Sequence, residues 1–131
     1  MTRDVEAASP DETVLDARDR FRAGRFHHLP VVEDGRLVGV VSDRDVLRAA
    51  GPSLGPTEFD ADSGPGVDRP LREIMSRDLV TADPLMSVEE IADLLLRHEI
   101  SSLPVVEDGR LVGLVTSADV LRWAAGQAPE R

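Results

Sequence analysis

Two short segments hold the residues best suited to chemistry. Ser42-x-x-Asp45 and Thr116-x-x-Asp119 each set a hydroxyl three residues before a carboxylate, after an apolar run and ahead of an apolar helical stripe. A helix opening there presents free N–H groups and a partial positive charge, which attract phosphate. The hydroxyls of Ser42 and Thr116 can bond phosphate or ribose oxygen, and Asp45 and Asp119 suit the paired hydroxyls of a ribose. The same pattern is a capping box, which stabilises a helix by about 0.5–2 kcal/mol. The two roles are compatible. Around the first segment stand Arg44, a good phosphate fork, and His27 and His28, which can donate to phosphate. The second segment has Ala118 in place of Arg44, and Ser101 and Ser102 in place of the histidines. The first site is therefore expected to prefer phosphorylated ligands. The second is expected to be weaker, or suited to a less charged ligand.

Composition removes other chemistries. The 131 residues carry 15 cationic side chains, all Arg, against 25 acids, for a net charge of −10. Without Lys there is no phosphate-loop lysine and no Schiff-base lysine. Without Cys there is no thiol nucleophile, disulfide or cysteine-ligated metal. No Ser–His–Asp, HExxH or Gly-rich phosphate-loop signature is present. A metal site built from His27, His28, Asp43 and Asp45 is disfavoured, because adjacent residues on a strand approach point to opposite faces. Acidity argues against a nucleic-acid binder, which needs a basic face. Phe21, Phe26 and Trp123 are too scattered for a base-stacking platform. No apolar run approaches the ~20 residues of a membrane helix, and the N-terminus has no apolar signal core, so the expected location is the cytoplasm.

The two segments belong to an internal repeat. Leu29 to Ala50 (LPVVEDGRLVGVVSDRDVLRAA) and Leu103 to Ala124 (LPVVEDGRLVGLVTSADVLRWA) agree at 17 of 22 positions at an offset of 74 residues. The register extends upstream, with Thr13 on Ser87, Asp16 on Glu90 and Pro10 on Pro84. Two copies at so long a period suggest two half-domains about a pseudo-two-fold axis, rather than a solenoid. Residues 1–50 form repeat one and 70–131 repeat two. Residues 51–69, with four Gly and three Pro, read as a connector whose one anchor is Phe59.

Each copy must build the elements that position these groups. Thr13 with Asp16, and Ser87 with Glu90, are capping boxes. Val14, Ala17 and Phe21 follow at helical spacing in the first copy, and Val88, Ile91, Leu94, Leu95 and His98 in the second. His98, on that stripe, reads as a half-buried structural residue. Asp34-Gly35 and Asp108-Gly109 between apolar runs predict hairpins, since such turns need positive φ. The Ser/Thr-x-x-Asp segments then open short helices ended by Gly51 and Gly126. Asp4–Ala7 and Asp78–Thr81 read as short opening strands, and 70–75 as a helical lead into the second copy, with Met75 and Met86 as core filler. The unit is strand–helix–strand–strand–helix, an α/β (α+β) arrangement. Neither copy alone buries both helices and its sheet.

These features, twice in order and covering the chain outside 51–69, resemble a tandem pair of CBS domains. The resemblance rests on the Leu-Pro-Val-Val strand, the Asp-Gly hairpin, the Gly-apolar-apolar-Ser/Thr-x-x-Asp segment and the helix after it. It implies two βαββα repeats in a disc-like module with clefts between the repeats, usually dimeric. It also implies a non-enzymatic sensor of adenosyl ligands such as AMP, ADP, ATP or S-adenosylmethionine, which regulates a separate partner protein. In the family, residues before the Pro-Val strand often contact phosphate, and His28 and Ser102 hold that place here. Thr81 and Ala7, at the ends of the opening strands, are secondary candidates. Ala7 departs from the Thr or Ser common in the family. Ala49, in place of Trp123, makes the second helix of copy one the poorer dimer anchor. The rival reading is a ligand-free dimerisation or protein-docking scaffold.

Overall fold

A computed structural model describes residues 5–24, 26–50 and 66–126. Phe59, Gly51 and most of the Gly/Pro connector lie outside the described residues. The elements are α1 (Val14–Ala23), β1 (His28–Glu33), β2 (Arg36–Ser42), α2 (Asp43–Ala50), α3 (Leu71–Ile74), α4 (Val88–His98), β3 (Ser102–Glu107), β4 (Arg110–Thr116) and α5 (Ser117–Ala124). The chain divides into two compact units. One holds Ala7–Asp34 and Val38–Asp78, the other Met1–Glu6, Gly35–Leu37 and Leu79–Arg131.

In the first unit, α1 begins at a complete box. The Asp16 N–H donates to Thr13 Oγ1 at 3.2 Å, and the Thr13 N–H to Asp16 Oδ2 at 3.0 Å. Its apolar stripe buries Val14 and Ala17 against Leu29, Val31, Val41 and Val46. All six are at most 1% exposed and form one close-packed core. Phe21 and Phe26 meet as a tilted ring pair with centroids 5.4 Å apart, joining the end of α1 to the approach of β1.

The end of the connector and α3 belong to this same core. The backbone N–H of Val14 donates to Arg69 O, Leu15 to Val67 O, and Leu71 to Glu12 O, at 2.8–3.1 Å. Leu71 is fully buried there. Val40 and Ser76 exchange backbone hydrogen bonds, which carry Met75 onto Gly39. The segment read as leading into copy two thus packs its apolar side chains on copy one. Local pattern shows that 71–74 is amphipathic, not which core receives it.

In the second unit, β3 and β4 pair antiparallel from Ser102↔Thr116 to Glu107↔Arg110, with an irregularity between Val105 and Val106. Ile91 and Leu95 of α4 cover Leu103, Val105 and Val115. Arg36 pairs with Arg110 in this unit, and the Leu37 N–H donates to Gly109 O at 3.0 Å. Both hairpin turns take the expected form. Asp34 and Gly35 have φ of 53° and 81°, Asp108 and Gly109 of 53° and 80°, the signs of a type I′ turn.

Two expectations need correction. No opening strand forms among the described residues. Only single parallel bridges occur, Ala8 to Val31 and Ala82 to Val105, each one residue beyond the expected strand end. Pro10 and Pro84 follow closely and offer no N–H to extend the ladder. His98 is exposed rather than half-buried. The helix ends beside it with Glu99 in the left-handed region at φ 54°, and Ile100 turns back to fill the core. At the helix C-terminus a basic side chain complements the dipole.

Candidate functional site

The site residues of the first copy converge where β2 runs into α2. Ser42 ends β2 and caps α2. The Asp45 N–H donates to Ser42 Oγ at 3.0 Å, and the Ser42 N–H to Asp45 Oδ2 at 2.9 Å. The approach to β1 meets the same helix end. The Asp43 N–H donates to His27 O at 3.0 Å, and His27 Nδ1 lies 2.8 Å from Asp43 Oδ2. The His27 hydrogen bond pulls the Asp43 carboxyl below its usual range, against the opposing effect of burial. Arg44 is exposed on the first turn of α2, and His28 is half-buried at the start of β1. Among the described residues Arg44 makes no ion pair. Ala7 is half-buried and takes no part in the bridge that Ala8 makes beside it.

The second copy repeats the backbone and changes the side chains. Thr116 caps α5 through the same box, and its hydroxyl also donates to Asp119 Oδ2 at 3.1 Å. The Ser117 N–H donates to Ser101 O at 2.9 Å, the counterpart of the Asp43–His27 backbone bond. Asp119 is 2% exposed, and its other oxygen is paired with Arg122. Asp45 is only half-buried, and among the described residues its Oδ1 accepts no bond and Arg48, the counterpart of Arg122, makes no ion pair. Ser102 is half-buried at the start of β3, and Thr81 is half-buried before the Ala82 bridge.

Sequence reasoning weighed Asp43 only as a metal ligand and passed over Arg122. Asp43 was visible as one of the five differences between the copies. Arg122 stands three residues after Asp119, a spacing that meets on one helix face. It has an identical counterpart in Arg48, so only the fold separates their behaviour. Among the described residues no cluster of three His, Asp or Glu side chains could hold a metal ion.

Comparison with known proteins shows the family. The family model described as CBS domain matches residues 1–51 and 71–126. The uncharacterized protein MJ1225 of Methanocaldococcus jannaschii is 35% identical over 128 residues, covering 95% of this chain. The chain spans 45% of that relative's length. Among solved structures, CBSX2 in complex with AMP is 30% identical with a TM-score of 0.79, covering 96% of this chain and 93% of that one. The CBS domain pair of MJ0100, in complex with 5′-methylthioadenosine and S-adenosyl-L-methionine, is 27% identical with a TM-score of 0.76. It covers 96% of this chain and 92% of that one. With both repeats matched and the strand-to-helix junction built twice, the chain belongs to the CBS-domain family as a tandem pair.

Proposed function

We propose that the protein is a non-catalytic regulatory module that binds an adenosyl ligand (AMP, ADP, ATP or S-adenosylmethionine) and thereby modulates a separate partner protein. Asp45 and Asp119 accept from ribose hydroxyls, and Ser42 and Thr116 bond ribose or phosphate oxygen. His27, His28 and Arg44 serve phosphate in the first copy, with Ser102, Thr81 and Ala7 as the lesser contacts. The first copy is the stronger site. The observation that carries this is the difference between the two carboxylates, since Asp119 is buried and paired with Arg122 while Asp45 is half-buried. A ligand at Asp119 must displace an ion pair, and a ligand at Asp45 need not. The AMP, methylthioadenosine and S-adenosylmethionine held by similar CBS proteins support the ligand class.

The reading takes the module as cytoplasmic and as a homodimer, the dimer supported by the exposed Leu47 and Leu121 at matching places on α2 and α5. Calorimetric titration with AMP, ADP, ATP and S-adenosylmethionine tests the ligand. Binding lost in Asp45→Ala and retained in Asp119→Ala is the expected result. Loss in Asp119→Ala alone reverses the site assignment. No binding by any of the four leaves the docking-scaffold alternative.

A further inference from the structure

The two copies share the backbone of the strand-to-helix junction and differ in the side chains around it. His27, Asp43 and Arg44 in the first copy correspond to Ser101, Ser117 and Ala118 in the second, at the same offset of 74 residues. The hydrogen bond from residue 43 to residue 27 is kept in the second copy, at 2.9 Å against 3.0 Å. The side-chain bridge from His27 Nδ1 to Asp43 Oδ2 is particular to the first. Stability does not account for it. The side chains of His27 and Asp43 are 77% and 46% exposed, and such pairs contribute little. Nor is Asp43 needed as a cap, because Ser42 and Asp45 supply the box.

The bridge does set the chemistry of the ring. A carboxylate on Nδ1 keeps the proton of a neutral imidazole on that atom, so Nε2 is left as an acceptor. A protonated ring donates from Nε2. We propose that Asp43 is a specificity-determining residue of the first site: through His27 it admits a phosphate-bearing adenosyl ligand when the ring is protonated and disfavours it when the ring is neutral. This rests on the ligand reading above. The other charged or titratable groups at the pair are Arg44 and Asp45 on α2 and His28 on β1. Arg44 is exposed on the first turn of α2, and Asp45 is engaged by the box. His28 is a second imidazole, so a His27 variant is needed to separate the two.

The test is calorimetric titration of the full chain with AMP and with adenosine, at about pH 5.5 and about pH 8. The variants are Asp43→Ser and His27→Ser, each introducing the residue type that the second copy carries at that place. AMP itself changes charge near pH ~6, so every AMP affinity is compared with His27→Ser at the same pH. On acidification the unaltered chain should gain about tenfold in AMP affinity over His27→Ser, with adenosine flat. Asp43→Ser should bind AMP several-fold tighter at pH 8 and lose most of that gain, because one negative charge is gone and the released neutral ring can carry its proton on Nε2. Superimposable AMP profiles for the unaltered chain and Asp43→Ser overturn the proposal. So does a uniform loss of AMP affinity in Asp43→Ser, the mark of a purely structural role. Failure of AMP to bind overturns this inference, and failure of ADP, ATP and S-adenosylmethionine as well overturns the ligand reading beneath it.

Discussion

Asp45 and Asp119 occupy equivalent boxes but differ in burial and partner, and stability measurements should separate them. Arg122→Ala strips a partner from a carboxylate that is 2% exposed, and should destabilise by about 1–3 kcal/mol in denaturant unfolding. Arg48→Ala, at the matching place, removes no ion pair among the described residues, and should stay within about 0.5 kcal/mol of the unaltered chain. Asp43 carries a pH signature. Its carboxyl is held below the ordinary range, first by the His27 hydrogen bond. A depressed folded value means that the contribution is present above the unfolded value, near ~3.9, and is lost as pH falls through the folded one. The melting-temperature difference between the unaltered chain and Asp43→Asn should therefore narrow as pH falls below about 4, and be small throughout because the pair is exposed.

Elements whose determinants are local could be read directly. The four boxes needed only a hydroxyl and a carboxylate three residues apart, and both turns only Asp-Gly between apolar runs. Gly109→Ala should cost about 1 kcal/mol or more in thermal unfolding. Its φ of 80° disfavours a side chain, whereas the Arg36 guanidinium over the place its Cβ would take is the end of a flexible side chain and can swing aside. Elements that depend on a distant partner were read poorly. The opening strands shrank to single bridges at Ala8 and Ala82, and α3 gave its Leu71 to the first copy's core. Leu71→Ala should cost about 2–5 kcal/mol, because the side chain is fully buried. A cost near zero would show that α3 is not part of that core.

For the whole molecule, ligand should register as stability. At about 100 times Kd an adenosyl compound should add about 2.7 kcal/mol, a rise of several degrees in melting temperature for a chain of this size. An unchanged melt across AMP, ADP, ATP and S-adenosylmethionine would favour the scaffold reading. The sequence by itself determined the repeat, the tandem CBS family, the hairpins and helix starts, and the class of residue at each strand-to-helix junction. All of these follow from patterns that span a few neighbours or recur at a fixed offset. Only the tertiary structure decided that Asp119 is buried against Arg122 while Asp45 is not, that His27 is held by Asp43, and that α3 packs on the first copy. Identical residues at Arg48 and Arg122 behave differently because burial, charge pairing and core membership depend on what the fold brings alongside. That information is absent from spacing along the chain.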